Sequence, residues 1–273
     1  MSKNRNQGSR SEAVRESWGA ARRTALELIR LFGPPPPLAV VLGSGLQKLG
    51  PRYLAKVPFR DLPLPKPQTA FHRGQIGVVT VRGRRLVVVE GRAHMYDGYT
   101  AQQATVLVAA LSFWGVGKLL STGICGVLGQ AAKPGQWVTF GGHLNLTGDT
   151  CWWKAGNPRG KPAGELQQHL RDRATATLVV AGIRGPSLPT SAEYAAFGQL
   201  GAQAVSMSAV PERLAAQQLG LDHASLYLVT DYWDGSRFVG SVREARRLAQ
   251  KASGQLWETV EWLTTTTAES GEV

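Results

Sequence analysis

Short apolar runs alternate with stretches of helical periodicity along most of this chain, and few architectures accommodate that order. The runs occupy residues 38–42, 76–80, 85–90, 118–122, 137–140, 178–181 and 224–230. Around them, apolar residues recur every three or four positions over 11–32, 99–114, 165–177, 191–200, 210–219 and 242–264, the spacing that gathers them on one helix face. Leu38 to Leu42 is apolar throughout, as a strand covered on both faces must be. Strands followed by helices imply crossover connections. The expected class is therefore α/β, a mixed, mostly parallel central sheet flanked by helices. Gly33 and the prolines Pro34 to Pro37 close the first helix. A turn around Gly83 joins the runs at 76–80 and 85–90, while the proline-rich 51–70 and the segment 149–164 are expected to be loops. Residues 1–10 are polar and expected to form a disordered basic tail. With no internal repeat or linker, 11–273 is expected to be a single domain.

A hydrophobic content of 43% over 273 residues suffices for a sizeable core without covalent staples. The two cysteines, Cys125 and Cys151, have no paired spacing, which argues against a disulfide framework and a zinc motif. No charged-then-apolar leader opens the chain, and no apolar run approaches the ~18 residues of a membrane span, so a cytoplasmic protein with no membrane partner is expected. The net charge of +12 raises nucleic acid as a partner. Seven Lys/Arg against three Glu fall in residues 1–30, but elsewhere the charge is scattered, with no basic block interleaved with aromatics. Clustering carries more information than net charge, so a solvated basic surface and no nucleic-acid partner are expected.

Chemistry-bearing residues gather in four places. The strand at 38–42 runs into Gly43-Ser44-Gly45-Leu46-Gln47-Lys48. Lys48 stands where a dinucleotide-binding G-x-G-x-x-G needs its third glycine, and the phosphate-loop pattern G-x-x-x-x-G-K-[ST] is absent. Nor is a serine with no spacer from its glycines a nucleophile elbow, G-x-S-x-G. What remains is a tight turn whose N–H groups and Ser44 hydroxyl suit an anion about as well as plain strand-to-helix packing. The second place, Glu90 to Gly98, follows an apolar strand, and in an extended continuation Arg92, His94 and Tyr96 share a face. A guanidinium grips phosphate through two parallel hydrogen bonds and a histidine adds a donor, although a surface arginine and a capping histidine use the same residues. Phe71-His72-Arg73-Gly74 sets another histidine beside a glycine, where a structural role is the commoner one. In Val205 to Glu212, small polar residues lead into a helix opened by Pro211, and such an N-terminus suits an anion or a sugar hydroxyl.

Taken in order, LGSGL, FHRG, GRAHMYDGY, KPGQWV, HLNLTG, GPSLPTSAEY, GAQAVSMSAVPE and VTDY resemble the trimeric purine nucleoside phosphorylase family, which includes the methylthioadenosine phosphorylases. The resemblance runs from about Pro37 to Ser241. It implies a nucleoside phosphorylase-like fold, a homotrimer, and cleavage of a nucleoside's N-glycosidic bond by inorganic phosphate. The phosphate is a co-substrate, and the resemblance implies no metal or organic cofactor. By the same resemblance Ser44, His72, Arg92, His94 and Ser208, with the backbone N–H near Ile124, hold phosphate, and Tyr96, Met207 and Val242 border the ribose. Cys125, Leu188, Pro189, Val205 and Asp231 border the base, with His94 and Asp231 as the catalytic pair.

The chain also departs from the family. Members acting on 6-oxopurines carry a glutamate at the position of Pro189, which offers no side-chain acceptor and no backbone donor, and an asparagine at the position of Asp231. The methylthioadenosine branch lacks the glutamate, has aspartate in the sequence TDY, and has an apolar residue near the 5′ position, matched here by Val242. A 6-amino purine, with a modified 5′ group, is thus the expected substrate. Bulkier Ile124 and Val127 replace small residues, Gly141-Gly142-His143 lacks the usual aspartate, and Gly148 to Gly185 is shorter than in the family. A remodelled pocket leaves two alternatives open, a nucleoside hydrolase and a non-catalytic nucleoside-binding protein.

Overall fold

The apolar runs become the inner strands of one ten-stranded sheet in the computed structural model, which describes residues 3–47, 50–69, 72–153 and 164–269. In chain order the elements are α1 (Lys3–Phe32), β1 (Leu38–Leu42), β2 (Tyr53–Pro58), β3 (Gln75–Val81), β4 (Arg84–Glu90), α2 (Ala101–Ala104), α3 (Val106–Trp114), β5 (Lys118–Leu128), β6 (Trp137–Asn145), α4 (Glu165–Arg171), β7 (Ala176–Gly182), α5 (Ser191–Gln199), β8 (Ala204–Ser206), α6 (Ala209–Leu219), β9 (Asp222–Trp233), β10 (Phe238–Val239) and α7 (Val242–Glu269). The strand order is β10-β9-β6-β7-β8-β5-β1-β4-β3-β2, and β9 also pairs with β5, so β5, β9, β6, β7 and β8 close into a ring. The sheet is mixed. Pairs β1–β4, β1–β5, β5–β9, β6–β7 and β7–β8 are parallel, while β2–β3, β3–β4, β5–β8, β6–β9 and β9–β10 are antiparallel.

Strand parity divides the core. Ala39 and Val41 of β1 face α1, α3 and α6 together with Val87 and Val89, whereas Leu38, Val40 and Leu42 face α4 and α7 together with Leu86 and Val88. Both faces are covered, which is why β1 has no polar residue. Each fully buried Val or Leu is worth roughly 1.5–3 kcal/mol, so this double layer holds the strand ends rigidly. Among the described residues, no helix is long and apolar enough to cross a membrane.

Several boundaries differ from the sequence expectation, each for a physical reason. The tail expected to be disordered over 1–10 is helical from Lys3, since a nucleated helix gains one backbone hydrogen bond for each residue added. Within the expected loop 51–70, β2 forms because its backbone pairs antiparallel with β3. It is an exposed edge strand whose Leu54 and Lys56 face solvent, so no apolar run marks it. The helix expected at 99–114 breaks at Thr105, whose hydroxyl donates to the Ala101 carbonyl (2.8 Å) and accepts from Trp153 Nε1 (2.8 Å). The short strands β8 and β10 carry no local signal and exist through pairing with β5 and β7 and with β9. Of the expected loop 149–164, residues 154–163 lie outside the described residues.

Candidate active site

The parallel strands β1, β4, β5 and β9 bring their C-terminal ends to one edge of the sheet, where open α/β sheets place their ligand sites. A cavity of about 170 Å³ opens there, lined by Ser44, His72, Arg92, His94, Tyr96, Ile124, Cys125, Leu188, Val205, Met207, Ser208 and Asp231. Two expected residues stand apart. Val242 lines an adjoining, more apolar cavity of about 370 Å³, together with Phe238, Ala245 and Arg246. Pro189 lines neither, because Thr190 caps α5 in a reciprocal pair with Glu193 and the entering chain presents Leu188 to the cavity instead.

On the anion side, Ser44 Oγ lies 3.4 Å from His72 Nε2. The His72 and His94 rings are 5.0 Å apart, and His94 stacks on Tyr96 at 4.5 Å. Extended alternation is not what unites Arg92, His94 and Tyr96: β4 ends at Glu90, Gly91 turns with φ +97, and residues 95–97 form a 3-10 turn. Only glycine serves at 91, since a Cβ there would lie 2.5 Å from His72 Cβ. Burial, and then the Arg92 charge, hold the His72 pKa down at about 3; burial, then His72 and Arg92, hold His94 well below the usual imidazole range. Both rings are therefore neutral at pH 7.

Arg92 does not present the open two-pronged grip that its sequence context suggests. It is 3% exposed, and its fork is held by the protein itself. Nη1 donates to Ser208 Oγ (3.1 Å) and the Tyr227 hydroxyl (3.3 Å), Nη2 donates to the carbonyls of Val41 (3.2 Å) and Thr122 (2.6 Å), and Nε lies 3.0 Å from Glu212 Oε1. Burial works against the guanidinium charge, but Glu212 and then Tyr227 outweigh it and raise the Arg92 pKa. Burial also pushes Tyr227 up to about 12, so its hydroxyl keeps its proton. Ser208 Oγ, 3.0 Å from that hydroxyl, lines the cavity together with Arg92 itself, whereas Tyr227 and Glu212 stand behind them.

On the opposite wall, a register shift between β5 and β9 skips Thr230, pairing Cys125 with Val229 but Gly126 with Asp231. Such a bulge re-aims side chains, and here Asp231 turns into the cavity. A Cβ on Gly126 would lie 2.3 Å from Asp231 Oδ1, so glycine makes room for the carboxyl group. Burial raises the Asp231 pKa, partly offset by a hydrogen bond from Thr230 Oγ1 (2.7 Å). Buried Cys125 is beside it, its thiol pushed up by burial and then by Asp231. Sequence reasoning missed Tyr194, which lines this wall stacked 5.3 Å from Trp233, and Ser206. It also missed Glu212 and Tyr227 behind Arg92. The available signal was a charge and a hydroxyl set among apolar neighbours, in Val210-Pro211-Glu212 and Leu226-Tyr227-Leu228.

Residues 37–260 match the model of the phosphorylase superfamily. Purine nucleoside phosphorylase 1 of Geobacillus stearothermophilus is 29% identical over 230 residues, 73% of this chain and 81% of the relative. The purine nucleoside phosphorylase of Mycobacterium tuberculosis is 32% identical over 205 residues, 71% of this chain and 75% of the relative. Among solved structures, isoform 2 of the Schistosoma mansoni purine nucleoside phosphorylase, in complex with cytosine and ribose-1-phosphate, superposes with a TM-score of 0.76 at 24% identity, covering 89% of this chain and 94% of that one.

Proposed function

The chain belongs to the purine nucleoside phosphorylases of the phosphorylase superfamily, and on that premise we propose that it is a pentosyltransferase acting by phosphorolysis. Inorganic phosphate cleaves the N-glycosidic bond of a purine nucleoside, releasing the free base and pentose 1-phosphate. One observation carries this reading: Ser44, His72, Arg92, His94 and Ser208 converge on one wall of a cavity whose other wall holds a buried carboxyl group. The hydroxyls of Ser44 and Ser208, the neutral imidazoles and the backbone N–H near Ile124 seat the phosphate beneath the anomeric carbon. Tyr96 and Met207 border the ribose. As the glycosidic bond breaks, the ribose gains oxocarbenium character and the base gains negative charge, so a nucleophile held close and a proton donor opposite stabilise the transition state most. Asp231, held toward its acid form, donates to N7 of the departing base. An acid–base pair of His94 and Asp231, inorganic phosphate as co-substrate and no other cofactor complete the proposal, with a cytoplasmic homotrimer as its setting.

Base choice follows from the same wall. The N1–H of a 6-oxopurine needs an acceptor, and Pro189 neither offers one nor lines the cavity, whereas the carbonyl oxygen of the protonated Asp231 carboxyl group accepts from a 6-amino group while its O–H faces N7. A site that leaves such a donor unpaired discriminates by up to roughly 10⁴-fold. The adjoining apolar cavity at Val242 supports a 5′-deoxy or 5′-thio substituent over a free hydroxyl. The test is free-base release from adenosine, 5′-methylthioadenosine, inosine and guanosine, with and without phosphate. Phosphate-dependent turnover favouring the two 6-amino nucleosides is expected. Preference for inosine overturns the base assignment, phosphate-independent release indicates a hydrolase, and binding without turnover indicates a non-catalytic protein.

A further inference from the structure

The anion wall has a keystone outside the cavity. Leu42 of β1, Glu90 of β4 and Gln75 of β3 lie side by side in register, and Gly91 N donates to Leu42 O (3.1 Å) while Gly74 N donates to Glu90 O (2.9 Å). Ser44 and Arg92 each lie two residues beyond that row, and His72 lies three residues before Gln75. The Glu90 side chain is buried, and its carboxylate accepts from Gln75 Nε2 (2.7 Å), Tyr53 Oη (2.8 Å) and Arg73 Nη1 (3.1 Å). Two of those three donors flank Gly74 in the segment that carries His72.

The geometry points to Glu90 as a positioning residue for phosphate: through Arg73 and Gln75 it straps the 72–75 segment to the end of β4, and so holds His72 against Ser44 and opposite Arg92. This reading rests on the phosphorolysis proposed above. The strap does not touch the ligand. A hydrogen-bonded carboxylate shared by three elements fixes their relative placement, and small displacements of positioning groups are costly in rate and affinity. Arg73 is largely exposed on the outside of the strap, so its ion pair with Glu90 adds little to stability and can be removed without emptying the core.

The variants are Glu90→Gln, Arg73→Ala and Arg73→Lys, measured for turnover over a phosphate series at saturating nucleoside and for direct calorimetric binding of inorganic phosphate. Arg73→Ala and Glu90→Gln are expected to raise the KM and Kd for phosphate by roughly 10-fold or more and to lower kcat/KM for phosphate at least as much, with KM for nucleoside nearly unchanged. Arg73→Lys should restore much of the affinity. A purely structural role predicts lowered thermal stability with wild-type phosphate affinity, and that outcome overturns the proposal. If Glu90→Gln does not fold, Arg73→Ala and Tyr53→Phe decide the question by the same readouts. Wild-type protein that neither binds phosphate nor turns over would overturn the phosphorolytic reading itself, a result distinct from variants that match an active wild type.

Discussion

Arg92 and Glu212 form a buried ion pair whose members also serve the site, so the two roles separate by substitution. Removing Arg92 alone leaves Glu212 enclosed without its cation, at a cost of roughly 3–5 kcal/mol, and strips a donor from the Val41 and Thr122 carbonyls. Arg92→Ala is expected to lose both the saturable dependence on phosphate and much of the folding stability. The double variant Arg92→Met with Glu212→Leu should regain most of the stability in urea denaturation but none of the phosphate response. A single variant as stable as wild type would contradict the pairing. At this scale the sequence is a good guide to which residues matter and a poor one to what they touch. Arg92 stands out in GRAHMY, but its counter-charge lies far along the chain on α6, and nothing near either residue announces the other. Charge balance in a buried site depends on through-space neighbours, which spacing does not encode.

The bulge in β9 is the element that gives Asp231 its orientation, and Gly126 across from it is the place to perturb that orientation without altering the carboxyl group. Gly126 has no positive φ, so alanine fits its backbone. The added Cβ instead meets Asp231 Oδ1, the far end of a side chain that can rotate away. Gly126→Ala is expected to cut turnover by roughly 10- to 100-fold while shifting the thermal midpoint little. Unchanged kinetics would mean that the aim of Asp231 does not matter to the reaction. Strands β1, β3 and β4 are legible because both their faces or one clear face are apolar, and α6 and α7 because their apolar residues recur at helical spacing. β2, β8 and β10 are not, since each is short or exposed and owes its form to a partner strand. The bulge is invisible for the same reason: it is a mismatch between two strands, present in neither alone.

For the whole molecule, the buried and half-buried histidines set an acid limit. Burial, and then nearby arginines, hold His72 and His223 at about 3, and His94 is also held well below its ordinary range, whereas in the unfolded chain each returns to about 6.5. The unfolded state therefore binds more protons across roughly pH 3 to 6.5. The histidines leave stability untouched above that window and remove it as the pH falls through it, by up to about 1.4 kcal/mol per pH unit for each proton. Asp231, raised by burial, works in the opposite sense: its contribution is present at acid pH and lost as the pH rises through its folded pKa. His143 is also lowered, by burial and then Arg213, and Asp222 is also raised by burial, so four histidines stand against two carboxyl groups. The urea midpoint should fall between pH 7 and 5, and His223→Gln, at a residue that does not line the cavity, should flatten that fall. A midpoint constant over that range would exclude neutral buried histidines. The sequence by itself determined the α/β class, the doubly buried β1 and the glycine turn after it, because backbone propensity, apolar period and turn chemistry are local, and its motifs, through the family they resemble, named twelve of the seventeen residues that line the cavity. The tertiary structure alone decided that the sheet closes into a ring, that Glu212 and Tyr227 occupy the Arg92 fork, that Asp231 faces inward and that Pro189 does not. Those outcomes depend on strand register and on which groups share a buried volume, and both are settled only when distant segments meet.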